Sequence, residues 1–228
     1  MSIEVRTLAD SELDGYFDQL ARIFSGNPLN PDALPRNRAQ TELDRTLGAF
    51  DDGRLVGTAG AFTFLMTVPC GAELPAAGVT GVSVAPTHRR RGVLRDLMRR
   101  QLDDIHARGE PLAGLYASQA PIYGRFGYGV GAWHSHLVIP RVRSAFRTPA
   151  RDGRVRIVDG DTALVEIPPL HDRLRRAQPG AVSRSQAYWE MRVADLPDFR
   201  RGRSQNWYLL HDGGAGPDGF AIYRVVAR

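Results

Sequence analysis

The chain has 228 residues, 43% hydrophobic and 24% charged, with a formal net charge of +5 at pH 7. That composition excludes a disordered chain, and no run approaches the roughly 20 apolar residues of a membrane helix. The N-terminal stretch lacks the apolar core of a secretory signal, and a single cysteine, Cys70, fits a reducing compartment, so a cytoplasmic protein is expected. All 30 basic residues are arginine, as codon usage in a GC-rich genome would give. Because they are interspersed with 25 acids, their number alone argues little for nucleic acid.

In chain order, "IEVRTLA" alternates as a short strand. From Asp10, the residues Leu13, Phe17, Leu20, Ala21 and Phe24 recur at helical spacing, and Ser25-Gly26-Asn27-Pro28 ends that helix. Residues 28 to 44 read as a loop with a short helix. Two strands, "RTLGAFD" and "RLVGTAGAFTFLMTV", flank Asp51-Asp52-Gly53, a hairpin turn signal. The strand "AAGVTGVSVA" leads into an arginine-rich loop, and after Gly92 the positions Leu94, Met98, Leu102 and Ile105 fall on one helical face. "LAGLYAS" reads as a buried strand, "APIYGRFGYG" as a helix kept short by Gly124 and Gly127, and "AWHSHLVI" as a closing strand. The order predicts a mixed, mostly antiparallel sheet with one βαβ crossover over 79–117.

The stretch "PRVRSAFRTPARDGR" marks a linker. Beyond it come a strand at "VRIVDG", helices around "PPLHDRLRRAQ" and "SQAYWEMRVA", and strands "NWYLLHD" and "GFAIYRVVA". Two helices and about three strands enclose little core, so the chain is expected to be the front part of a longer protein.

The loop "APTHRRRG" joins a strand to a helix. The first amides of that helix are free donors and its dipole is positive there, so an anion is favoured. Gly92 permits close backbone approach, and guanidinium groups add charge-assisted bonds to phosphate. There is no P-loop motif, and "GYGVG" at 127–131 precedes a strand rather than a helix. The alternative is an ordinary helix start with solvated arginines.

The segment "VSVAPTHRRRGVLRDLM" resembles the acetyl-CoA-binding segment of the GNAT N-acetyltransferases. Arg89 and Gly92 match its Arg/Gln-x-x-Gly-x-Gly/Ala pattern, and Leu94 departs from the small third position. With "IYGRFGYG" and "GFAIYRV", the likeness is to the Eis-type (enhanced intracellular survival) branch. The resemblance implies an α/β (α+β) GNAT fold over residues 1–149, followed over 150–228 by the start of a second GNAT-like domain. It implies acetyl transfer from acetyl-CoA to an amine: an aminoglycoside, a polyamine or a lysine side chain. No metal, membrane or nucleic-acid partner is implied, and relatives of this type tend to form hexamers.

Carried onto this chain, the family pattern pairs the backbone of Val82, Ser83 and Val84 with the pantetheine arm. The backbone of Arg90, Arg91, Gly92, Val93, Leu94 and Arg95 cradles the pyrophosphate, and Ser118 and Gln119 lie against the cofactor. Gln119-Ala120-Pro121 replaces the family's Glu-Gly-Gly. Tyr123 matches the general acid, with Tyr116 as an alternative, whereas Phe126 and Tyr128 read as packing residues. The family's base is the C-terminal carboxylate of the full-length chain; Glu73 and Asp32 have no spacing argument behind them. His134 and His136 share a strand face without further metal ligands, and Cys70 lacks an activating base. An acetyl-CoA-binding module without turnover, and a nucleic-acid binder using the arginine loop, stay as alternatives.

Overall fold

The computed structural model describes residues 3–24, 30–133, 142, 145, 153–200 and 202–226. It divides into two compact units, residues 1–129 with 175–192, and residues 130–174 with 193–228. Among the described residues, no helix is long and apolar enough to cross a membrane.

The first unit is built on a five-stranded sheet in sequence order: β1 (Glu4–Thr7), β2 (Thr46–Asp51), β3 (Arg54–Thr67), β4 (Glu73–Val84) and β5 (Leu112–Leu115). Neighbours are antiparallel except β4 and β5, which are parallel and joined through helix α3 (Val93–Ala107). The predicted crossover is therefore present. Asp52 and Gly53 take left-handed φ of 49° and 76°, as the tight hairpin between β2 and β3 requires.

The sheet lies between two helices. On one side α1 (Leu13–Phe24) packs Leu13, Tyr16 and Phe17 with Leu8 and Phe50. On the other, Val93 and Leu97 of α3 join Leu47, Ala49, Val56 and Ala59. A short α2 (Leu34–Gln40) occupies the stretch between α1 and β2. The buried face of α3 is Val93, Leu97, Met98, Gln101 and Ile105. It is rotated from the expected stripe: Leu94 lines a surface cleft and Leu102 is only half-buried. Leu94 stands about 100° around the helix from Val93, on the side that turns toward the cleft.

Residues 175–192 return to this unit. Thr67 N–H donates to Ala181 O, Gly180 N–H to Thr67 O and Ser183 N–H to Leu65 O, so residues 180–183 pair with the part of β3 that extends beyond β2. Arg175, only 4% exposed, ion-pairs with Glu73. Helix α5 (Gln186–Val193) follows.

The second unit holds a three-stranded antiparallel sheet of β6 (Arg154–Val158), β7 (Trp207–Gly213) and β8 (Gly216–Tyr223). Helix α4 (Gly160–Arg175) begins eight residues before the predicted one, and Pro168 and Pro169 lie inside it. Two prolines remove two backbone donors, but Asp159 Oδ1 accepts the Thr162 amide at 2.8 Å and caps the start. Ala163, Ile167 and Leu170 are buried along one side, and that burial carries the helix through the prolines. A four-residue α6 (Pro197–Arg200) precedes β7. "APIYGRFGYG" forms two 3-10 turns, Ala120–Ile122 and Gly124–Phe126, in place of a helix. Most of the expected strand "AWHSHLVI", with His134 and His136, and most of the linker lie outside the described residues.

A buried ion pair joins the start of β2 to the end of α3. Arg45 Nη1 and Nη2 donate to Glu110 Oε1 and Oε2 at 2.7 and 2.6 Å, and Nη1 also donates to Thr63 Oγ1 at 2.6 Å. The side chains are 1% and 5% exposed. Arg45→Met leaves a buried carboxylate without its partner and should destabilise the protein by about 3–5 kcal/mol. Replacing both residues, Arg45→Met with Glu110→Leu, should recover most of that loss in the same chemical denaturation experiment.

Candidate active site

The site begins where two strands part. β4 pairs with β5 only from Ala76↔Leu112 to Val79↔Leu115, yet β4 continues to Val84. At the same level the β3–β4 register shifts between Thr58 and Gly60, and Gly81 adopts φ +60°. A Cβ on Gly81 would stand 2.3 Å from the Tyr16 hydroxyl oxygen, so the phenol occupies the space that a side chain would need.

Polar side chains hold this irregular stretch. Thr58 Oγ1 donates to Gly81 O at 2.7 Å and lies 2.7 Å from Ser83 Oγ. Gln19 Nε2 of α1 donates to Ser83 Oγ at 3.0 Å, and Gln101 Nε2 of α3 donates to Gly60 O at 2.9 Å. Beyond Val79 the pairing with β5 ends, and among the described residues the backbone groups that Val82 and Val84 turn away from β3 are left without a strand partner.

The cleft beside this opening has a volume of about 430 Å³. Val82, Ser83 and Val84 line one wall, and Arg90, Gly92, Val93, Leu94 and Arg95 the helix end. Ser118, Gln119 and Tyr123 line the third side, and Ile23 and Phe24 of α1 complete it. The residues matched to the cofactor, and Tyr123, line this one cleft except Arg91. Ile23, Phe24, His88 and Arg125 were not singled out for it. Only the helical face of α1 bore on Phe24, and that pointed to the core, whereas Phe24 is 57% exposed at the helix end.

At the N-terminus of α3, Gly92 has φ +89°, and the first helical bond runs from Asp96 N–H to Gly92 O at 3.1 Å. The amides of Val93, Leu94 and Arg95 therefore have no acceptor within the helix, and no side chain caps them. A Cβ on Gly92 would come within 3.1 Å of Arg95 Nη2. The donor set of three amides at a positive helix end, without a side chain at the closest point, fits a phosphate group.

Arg91 turns elsewhere: its Nη2 lies 3.3 Å from Asp51 Oδ2, and His88 Nε2 lies 3.0 Å from the same oxygen. The His88 hydrogen bond and the Arg91 charge hold the Asp51 carboxyl below its ordinary value against the opposing effect of burial. With Asp51 ionised, Nε2–H of His88 donates to it, and Nδ1 pairs with the Thr87 hydroxyl at 2.8 Å. Both ring nitrogens are engaged, so His88 has no free position for proton abstraction.

Tyr123 is 9% exposed and stacks edge-on against Tyr128, with ring centroids 6.0 Å apart. Burial raises the Tyr123 phenol above its ordinary value, and burial with the neighbouring Tyr123 pushes Tyr128 up to about 12. Tyr116 is 85% exposed and does not line the cleft. Among the described residues, no carboxylate lines the cleft. Glu73 is engaged with Arg175 and Arg176, and Asp32 is exposed in the turn before α2 without lining the cleft. Cys70 is exposed in a turn with φ 75°, and no group of three or more His, Cys, Asp or Glu side chains suited to a metal occurs among the described residues.

A family pattern described as an acetyltransferase (GNAT) domain matches residues 4–131, and a second of the same description matches 180–228. An uncharacterized N-acetyltransferase of Streptomyces coelicolor is 41% identical over 231 residues, covering 99% of this chain and 56% of that protein. The N-acetyltransferase Eis of Mycobacterium tuberculosis is 37% identical over 234 residues, covering 99% and 57%. The crystal structure of Eis1 from Mycobacterium abscessus superposes with a TM-score of 0.76 at 34% identity, covering 98% of this chain and 53% of that one. The chain thus spans about half the length of the curated relatives it matches.

The raised phenol gives a direct expectation for pH. In a spectrophotometric titration, the phenolate signal that Tyr123→Phe removes should appear only above the ordinary value near pH 10. The unfolded chain ionises first, so this tyrosine's contribution to stability is complete below about pH 10 and is lost as pH rises through the raised folded value.

Proposed function

The chain belongs to the GNAT acetyltransferase family, similar to its Eis-type members, and from that premise we propose that the cleft of the first unit binds acetyl-CoA and transfers its acetyl group to a primary amine. The observation that carries the reading is the junction of a parted β4 with an uncapped α3 N-terminus in one cleft. The free edge at Val82–Val84 suits the amide-bearing pantetheine arm, and the amides of Val93 to Arg95 suit the pyrophosphate. Ser118 and Gln119 flank the same path. The amine class follows the resemblance: an aminoglycoside, a polyamine or a lysine side chain.

Acetyl-CoA supplies an activated acetyl thioester. A neutral amine nitrogen attacks the thioester carbonyl carbon, the carbon–sulfur bond breaks, and the nitrogen loses a proton to water, which restores the proton that Tyr123 gives up. The Tyr123 hydroxyl supplies a proton to the leaving sulfur. Burial keeps that phenol protonated through the neutral range. It also widens the gap to a thiol near 8.5, so the transfer depends on the hydroxyl being held against the sulfur.

The absence of a carboxylate among the cleft's described lining favours a second reading, in which these residues bind acetyl-CoA without turnover. Calorimetric titration with acetyl-CoA, run beside a thiol-release assay on a panel of amines, separates the two. Amine-dependent release supports the transferase, binding alone supports the silent module, and no binding removes both. For the transferase, Tyr123→Phe should lower kcat by about 10²–10⁴-fold while acetyl-CoA still binds. Gly92→Val, which places a branched side chain at a left-handed position, should weaken binding itself.

A further inference from the structure

We propose that Asp51 is a positioning residue for this cleft: through His88 and Arg91 it sets the backbone of the α3 loop in the shape that receives a pyrophosphate. The inference rests on the acetyl-CoA reading above and goes beyond it by assigning a role to a carboxylate outside the cleft.

The loop adopts a backbone that arginine resists. Arg90 and Gly92 are both left-handed, with φ of 63° and 89°. In that region an L-residue's Cβ crowds its own carbonyl, so Arg90 stays there only where its surroundings hold it. The residue between the two left-handed positions is Arg91, and its guanidinium reaches Asp51 Oδ2 at 3.3 Å. His88, on the other side of Arg89 and Arg90, reaches the same oxygen at 3.0 Å. One carboxylate oxygen thus grips the loop on both sides of its unfavourable residue.

The support behind that oxygen is firm. Asp51 is the last residue of β2, in register with Arg54 across the two-residue turn. A backbone bond from Ala85 N–H to Val56 O at 2.8 Å fastens the start of the loop to the same hairpin. The Asp51 and His88 side chains are 10% and 12% exposed, so water screens their contact little.

Charge alone argues the opposite effect, and this makes the role testable. A carboxylate beside an anion site repels the anion, so removing it should tighten binding if Coulomb attraction were all that mattered. If Asp51 acts through geometry, removing it should weaken binding, and only for ligands that carry the pyrophosphate.

The experiment compares wild type, Asp51→Ala and Asp51→Asn by calorimetric titration with acetyl-CoA and with acetyl-pantetheine, which lacks the pyrophosphate. Thermal unfolding of each variant is followed in parallel. Asp51→Ala is expected to weaken acetyl-CoA binding by about 10–100-fold, the scale on which a lost supporting partner acts at other preorganised sites. Acetyl-pantetheine affinity should be unchanged. Asp51→Asn keeps a carbonyl oxygen that accepts from both partners and should recover part of the loss; it also reads the effect if Asp51→Ala does not fold. Unchanged or tighter acetyl-CoA binding overturns the proposal, as does an equal loss for both ligands, which would mark a general disturbance. A wild-type protein that binds no acetyl-CoA removes the reading of the cleft and this inference with it, and that outcome is recognised because it precedes any substitution.

Discussion

The parting of β4 from β5 is the constraint on which the rest of the first unit depends. Two parallel strands that stayed paired would seal the space where the cleft lies. At that level the β3–β4 irregularity is held from both faces of the sheet: Tyr16 of α1 fills the place of a side chain at Gly81, while Gln101 of α3 holds the Gly60 carbonyl. A register shift in β3–β4 would be costly if it stranded backbone polar groups. Here Thr58 takes the Gly81 carbonyl, and the Thr58–Ser83–Gln19 contacts keep the adjoining hydroxyls paired. The irregularity is therefore part of the packed core and not a loose strand end.

Charge around the cleft is arranged in the same spirit. Arg95 is drawn to Asp96 at 2.9 Å and Arg91 to Asp51, whereas Arg89, Arg90 and Arg125 line the cleft beside the free amides. Those three arginines are exposed, so they contribute a salt-screened positive surface potential at the cleft. The arginine-rich loop thus divides its side chains between structure and surface potential. A run of four basic residues read only as a patch hides that division.

Much of this was legible in the sequence because it rests on local rules. Alternation gave β1, the Asp51-Asp52-Gly53 turn gave the β2–β3 hairpin, and the switch from strand to helical period at Gly92 gave the crossover. The residues around the cleft were legible because consecutive backbone positions build most of it. What escaped the sequence depends on burial or on distant partners. Helix α4 passes through Pro168-Pro169 because one buried side outweighs two missing donors. Leu94 was grouped on one helical face with Met98, Leu102 and Ile105 because apolar spacing cannot distinguish a core face from a cleft wall. Residues 180–183 join β3 by backbone bonds that leave no side-chain pattern. Asp51 stood out only as part of a turn, since nothing in the chain links it to residues 37 and 40 positions later.

The two charged contacts of β2 gain a common meaning when the lengths are compared. Arg45 immediately precedes β2 and grips Glu110 just beyond the end of α3; Asp51 ends β2 and grips His88 and Arg91 just before α3 begins. A 15-residue helix is about 22 Å long, and a six-residue strand about 20 Å. The helix runs antiparallel to β2, so each end of one meets an end of the other at nearly matched span. Apolar packing through Val93 and Leu97 sets how closely α3 approaches the sheet, but hydrophobic contact is non-directional and leaves sliding along the axis weakly defined. Ion pairs at both ends remove that freedom. In this arrangement the position of the α3 N-terminus over the parted strands is set by β2, a strand that contributes no residue to the cleft.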